Sequence, residues 1–309
     1  MGFKKIEKSP QMKEYAIVTF VVGENYIEIF NIVKSSWQNY AKKCEADLIV
    51  IDDYIDYNSL NGRSPIWQKL LLINSPHLKK YKKVCYLDSD IYINSKSPSV
   101  FEVNVFNKVG VVRHESLFYP QSHVIQYERW LKLMDVTKKD QFIADRIRNV
   151  FKNYYANYDL RLDTDLKFNA GVLLFDPNLH GELFNEIYNK YAKDAYDQDQ
   201  TAVNYELIKN NLYHEIDLRY NAQLGGILSH AYPFLYFTDD KGVRYLNNST
   251  YCNLAMMCLA NIIEINYFIH FAGLRWPLLI LEQLPDDCFD NEIDYHFLIE
   301  KLINTNIRK

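Results

Sequence analysis

Asp88 and Asp90 stand two residues apart at the end of an apolar run, in the segment KVCYLDSDIYI at residues 83–93. Side chains alternate along an extended chain, so residues two apart point to the same side. The two carboxylates therefore converge on one point while Leu87 and Ser89 face away. Converging carboxylate oxygens at a strand end suit a divalent cation, and a cation there suits a ligand that carries phosphate. The triplet is a weak signal on its own. Asp163/Asp165 and Asp197/Asp199 repeat it, but only Asp88/Asp90 directly follows an apolar strand. Taken alone, it balances evenly between a metal site and a solvated turn; Asp163 and Asp165 read as loop carboxylates.

The elements around this pair must place it. The run AIVTFVV at 16–22 reads as a buried strand. Tyr26, Phe30, Val33, Trp37 and Tyr40 then recur at helical steps. Residues 48–51 form a second strand ending at Asp52 and Asp53. Ser64–Pro65 reads as an N-cap with Pro at the first helical position, opening a helix through Trp67 and Leu71 that Pro76 interrupts. Residues 84–87 form the third strand. Strand, helix, strand, helix, strand implies a parallel sheet with right-handed crossovers and a ligand site at the carboxyl ends of its strands. Beyond it, 116–165 reads as an insertion with helical signals at 121–133 and 141–151, and 168–175 as a strand. Asp176–Pro177 caps a further helix, another spans 201–209, and a late strand spans 262–271. With no linker rich in Pro, Gly or Ser, the reading is one α/β domain at 15–285. An N-terminal extension at 1–14 precedes it and a helical tail at 286–309 follows.

Composition narrows the classes. Apolar residues are 48% and charged residues 24% of the 309, which excludes wholesale disorder. A net charge of −4 argues against a chain-wide grip on nucleic acid. The longest apolar run, 254–260, is far short of a spanning helix, and 1–14 has no apolar signal core. Cys44, Cys85, Cys252, Cys258 and Cys288 are scattered without zinc spacing and read as reduced thiols of a cytoplasmic protein. Sequons begin at Asn247 and Asn248 but mean little without an export signal. The tail at 293–309 has apolar residues that could touch a membrane surface, although packing as a terminal helix is preferred.

With these segments in place, the chain resembles glycosyltransferase family 8, the retaining nucleotide-sugar enzymes of the GT-A fold that include glycogenin and bacterial lipopolysaccharide galactosyltransferases. The resemblance rests on VTFVVGENY at 18–26, YLDSDI at 86–91, FNAGVLLFDP at 168–177, DQTAVN at 199–204 and HFAGLRWP at 270–277, in that order. Each motif is modest; their order is the stronger signal. It implies a single Rossmann-like α/β domain, with 15–105 as the nucleotide-binding part and 106–285 as the sugar and acceptor part, and a metal-dependent transfer of a hexose-type sugar from a UDP-sugar to a hydroxyl of a glycan or glycoconjugate. Asp88, Asp90 and His270 would hold Mn²⁺, with Mg²⁺ the second choice because an imidazole ligand disfavours it. Phe20, Gly23 and Tyr26 would line the uridine pocket. Lys69, Ser89, Asn169 and Ala170 would contact the donor, with Gly171 permitting close approach. Asp199 and Gln200 would lie beneath the transferred sugar as nucleophile or electrostatic support. Glu115, Tyr220 and Asn221 are candidates for reaching the acceptor.

One departure stands out. Where the family's HFxGxxKPW pattern has its diphosphate-binding Lys, this chain has Trp276, and its final Trp is Leu278. Arg275 could supply the charge and Gly273 the close backbone approach. The lost Lys favours one rival, a catalytically weak or inactive carbohydrate-binding homologue. A sugar nucleotidylyltransferase is less favoured, because VVGENY has one Gly and no basic residue for a phosphate loop. A haloacid-dehalogenase-type phosphatase wants Thr or Val where Tyr92 stands.

Overall fold

Runs rich in β-branched residues and buried on both faces build the centre of the protein. The computed structural model describes residues 3–5, 13–58, 63–114, 155–164, 166–191, 198–232 and 249–272. After a short β1 (Phe3–Lys5), the strands β2 (Tyr15–Phe20), β3 (Ala46–Ile51) and β4 (Lys83–Leu87) lie parallel, with Ile17 paired to Leu48 on one side and Cys85 on the other. β6 (Val109–Arg113), β7 (Phe168–Phe175) and β8 (Tyr213–Glu215) complete a seven-stranded sheet in the order β1-β3-β2-β4-β7-β6-β8. β3, β4, β6 and β8 run with β2; β1 and β7 run against it. The expected α/β architecture with a mostly parallel sheet is therefore present.

The period-two alternation sorts strand side chains into two apolar layers. Ile17, Leu48, Val50, Cys85 and Leu87 meet Phe30, Val33, Trp37 and Tyr40 of α1 (Glu24–Lys43). Ala16, Val18, Ile49, Val84 and Tyr86 face the opposite layer. That layer comprises α2 (Gln68–Ile73), α3 (Pro177–Lys190) and α4 (Gln200–Lys209), which contribute Leu70, Phe184, Ile187 and Leu207. The Asp176 cap is made: its Oδ1 accepts from the backbone N–H of Asn178 at 2.8 Å, and Pro177 opens α3. Pro76 lies beyond the end of α2 rather than within a helix.

A second, three-stranded sheet places the far part of the chain against the first. β5 (Ile91–Ile93), β9 (Ala222–Gln223) and β10 (Phe268–His270) lie in the order β5-β10-β9. The late strand is much shorter than the sequence suggests. Residues 262–265 close α6 (Ser249–Ile265), which follows α5 (Leu224–Ala231), and only Phe268–His270 is extended. Ile262 and Ile263 are buried in either conformation, so apolar character does not distinguish them. Asn266 ends the helix, its side chain donating to the carbonyl of Ile262 at 2.8 Å. The polar stretch expected as a bare extension contributes β1, paired antiparallel to β3. Most of the 116–165 insertion, all but 155–164, and the whole 286–309 tail lie outside the described residues. Among the described residues, no helix is long and apolar enough to cross a membrane.

Candidate active site

Asp88 follows β4 directly, and its backbone N–H donates to the Gly171 carbonyl of β7 at 2.8 Å. The antiparallel register that pairs Leu87 with Val172 makes this contact unavoidable. Asp90 immediately precedes β5, whose Ile91 pairs with His270 of β10. The Phe271 N–H also donates to the Asp90 carbonyl at 3.1 Å. Two short registers thus carry residues far apart in sequence to one point. His270 Nε2 lies 3.2 Å from Asp90 Oδ1 and 3.9 Å from Asp88 Oδ2.

Around this point the main chain is shaped for close packing. Between β6 and β7 the register jumps: Val111 pairs with Leu173, but Val112 pairs with Asn169, so residues 170–172 form extra length on β7. A bulge of this kind re-aims the groups it carries. Both polar backbone groups of Ala170 point to site residues. Its N–H donates to Gln200 Oε1 at 2.9 Å, and its carbonyl accepts from Lys69 Nζ at 3.2 Å. Gly171 has no room for a side chain, because a Cβ there would stand 2.5 Å from His270 Cε1 and 2.9 Å from Asp88 Oδ2.

Beneath the aspartate pair lies a buried ion pair. Lys69 Nζ is 2.9 Å from Asp199 Oδ2 and 4.0 Å from Asp88 Oδ1. Lys69, assigned a donor contact from the sequence, therefore holds protein groups. Burial opposes its charge, but Asp199 and Asp88 outweigh that and leave its pKa raised. Asp199 occupies the N-cap position of α4 without capping it, its side chain going to Lys69 instead. Burial raises its carboxyl and Lys69 pulls it only part of the way back, to about 6. His270 follows the Lys69 pattern: burial opposes the imidazolium, Asp90 and then Asp88 favour it, and the net pKa is raised.

The structure brings Asp88, Asp90, His270, Lys69, Asn169, Ala170, Asp199 and Gln200 into one connected cluster. Ser89 lies between the aspartates and is buried. Gly23 and Tyr26 stand where β2 gives way to α1. Gly23 has φ 98, a conformation that L side chains rarely adopt, and its carbonyl accepts from the Tyr26 N–H at 3.0 Å. Tyr26 is 55% exposed, while Phe20, at the end of β2, packs part-buried in the opposite apolar layer. Gly273, Arg275 and Glu115 lie outside the described residues. Tyr220 and Asn221, candidates for the acceptor, are 3% and 0% exposed and cannot meet one directly.

Other residues carry weight that the motifs did not show. Tyr86 donates to Asp88 Oδ1 at 2.9 Å, and burial and then Asp88 hold its hydroxyl protonated. Period two places Tyr86 on the side of Asp88 and Asp90, so a signal existed. Asn204, the last residue of DQTAVN, accepts from the Phe168 N–H at 2.6 Å and donates to the Phe168 and Gln200 carbonyls.

The donor set of two carboxylates and one imidazole nitrogen fits a divalent cation. Among the described residues, however, no three His, Cys, Asp or Glu side chains are spaced as they would be around a metal ion. His270 and Asp90 meet each other directly instead. A contracted cluster of this kind has the right atoms, and a cation would take the place of that contact.

Comparison with solved structures defines the fold class. The chain superposes on a glycosyltransferase involved in glycosylation of the major capsid of PBCV-1, with a TM-score of 0.50 and 10% identity over 87% of this chain and 99% of that one. It also superposes on the bifunctional glycosyltransferase WbbM, with a TM-score of 0.53 and 18% identity over 97% of this chain and 51% of that one. The chain thus has the fold of these glycosyltransferases and spans about half of the WbbM chain. No protein-family model and no curated protein matches its sequence.

Proposed function

We propose that the protein is a metal-dependent, retaining glycosyltransferase that moves a hexose-type sugar from a UDP-sugar to a hydroxyl of a glycan or glycoconjugate. The observation that carries this reading is the meeting of Asp88, Asp90 and His270 Nε2 beside the buried Asp199, on a glycosyltransferase fold. Asp88, Asp90 and His270 would hold the cation, Mn²⁺ in preference to Mg²⁺. Bound there, it supplies Lewis-acid stabilisation of a diphosphate leaving group. The chain's own residues do the rest. Tyr86 fixes the Asp88 carboxylate by donating to it. Lys69 keeps Asp199 oriented and compensates its charge. Gln200 holds the Ala170 N–H within the β7 bulge. The exposed Tyr26 ring offers a face for a base to stack on.

Calorimetry with UDP, with and without Mn²⁺, followed by a turnover assay with UDP-sugars, tests the proposal. UDP should bind only with the cation, and Asp90→Asn should lose that cation-dependent binding and at least about a hundredfold in transfer, the loss of several kcal/mol of leaving-group stabilisation. Undiminished transfer and UDP-sugar hydrolysis by Asp90→Asn would sink it. Binding without turnover would favour the carbohydrate-binding homologue.

A further inference from the structure

A chain of hydrogen bonds behind His270 leaves its protons little freedom. It begins at a group that cannot be turned around, the backbone N–H of Gly171, which donates to Asn169 Oδ1 at 2.9 Å. That fixes Asn169 Oδ1 as an acceptor. The Asn221 side-chain atom that meets the same oxygen, at 2.8 Å, must therefore be the donor Nδ2. The other end of the Asn221 amide is then Oδ1, and it faces His270 Nδ1 at 2.9 Å. An amide oxygen only accepts, so Nδ1 must carry a proton. Usually the orientation of an Asn amide and the tautomer of a His are assignments rather than observations. Here the main-chain donor settles both by elimination.

We infer that Asn221 and Asn169 are positioning residues: they hold the proton of His270 on Nδ1 and so commit Nε2, the nitrogen facing Asp88 and Asp90, as the atom that can give its lone pair to a cation. Asn221 is fully buried, at the end of the helical turn Leu218–Asn221 just before β9, with its amide consumed at both ends. The β9–β10 register, which pairs Ala222 with Ile269, keeps Asn221 beside the ring. Asn169 gains a role distinct from the sugar contact expected of it, since its Oδ1 already receives two donors. The bulge at 170–172 brings the Gly171 N–H to Asn169 Oδ1, which ties the bulge to the orientation of a ring on another sheet. Partners of this kind behind a ligating histidine are commonly worth about 10–100-fold in metal affinity. That part rests on the cation site proposed above; the proton position does not.

The test reads the proton directly. In full-length protein labelled with ¹⁵N-histidine and free of metal, His270 Nδ1 should show a directly bonded proton throughout a pH series, whatever Nε2 does. Asn221→Leu removes the acceptor and should abolish that preference. Asn169→Asp keeps an acceptor for both the Gly171 N–H and Asn221 Nδ2 and should preserve it. An unprotonated Nδ1 in the native protein overturns the inference, as does an unchanged Nδ1 signal in a folded Asn221→Leu protein. Should Asn221→Leu fail to fold, the native spectrum and Asn169→Asp still decide. In a separate titration, Mn²⁺ affinity should fall about 10–100-fold in Asn221→Leu. If the native protein binds no Mn²⁺ while Nδ1 is protonated, the cation site is wrong and the placement of the proton by Asn221 and Asn169 stands.

Discussion

A lysine whose side chain is 2% exposed must be matched by negative charge, and Asp199 matches Lys69 at 2.9 Å. Removing one member of a buried pair strands the other, at a cost of about 3–5 kcal/mol, whereas replacing both with apolar groups is often close to neutral. Lys69→Ala is therefore expected to lose about 3–5 kcal/mol in urea unfolding, and Lys69→Met with Asp199→Leu to recover most of it. A double variant as unstable as the single one would show that packing, and not charge, sets the cost. The same carboxyl has a pH consequence. Burial, only partly offset by Lys69, places its ionisation at about 6, so the carboxylate form predominates above that pH and the acid form below. If catalysis uses the carboxylate, transfer should fall about tenfold per pH unit on an acid limb at or below that value, since a cation on Asp88 would pull it down. A transfer rate level down to pH 4 would remove Asp199 from that role. The resemblance singled out Asp88, Asp90, His270, Lys69 and Asp199, but it did not reveal that Lys69 points inward. A lysine at the start of a six-residue helix reads as solvated until tertiary packing surrounds it.

Between elements, the clamp that matters most to the site is Asn204. From α4 it closes on both backbone groups of Phe168 at the start of β7, the strand that carries Asn169, Ala170 and Gly171. Leaving two buried backbone groups unsatisfied costs about 1–3 kcal/mol each, so Asn204→Ala should lose roughly 2–6 kcal/mol, read from the urea midpoint at constant slope. A loss below about 0.5 kcal/mol would mean that water or another side chain replaces the clamp. The long elements here were legible. β2, β4, α1 and β7 carry runs or periods that only one conformation satisfies, and β7 at Phe168–Phe175 matches the reading residue for residue. β5, β9 and β10 were not, because strands of two or three residues carry no periodicity. His270 could be named from its motif, but the register that sets it beside Asp90 is a property of paired strands that no local pattern encodes.

At the scale of the molecule, the site concentrates charge of one sign. Asp88, Asp90 and Asp199 lie together, with Lys69 as the nearby cationic partner and His270 in contact with the first two, in a chain of net charge −4. Such a cluster is held by the two sheets that meet there, and it gains from any cation that enters. A ligand that binds only the folded state stabilises it by about 2.7 kcal/mol at a hundred times its dissociation constant. For a chain of this length, that corresponds to a rise in Tm of roughly 4 °C. Mn²⁺ with UDP at that excess should produce such a shift, Mn²⁺ alone a smaller one, and UDP with a chelator none. Because the aspartates stand at the junction of β4 with β5 and His270 at the end of β10, the stabilisation couples the two sheets. Amide exchange should therefore slow in β5 and β10 as well as around Asp88. An equal thermal shift by UDP in native protein and Asp90→Asn would mean that the nucleotide is held elsewhere, and exchange unchanged in β10 would mean that His270 takes no part in holding the cation.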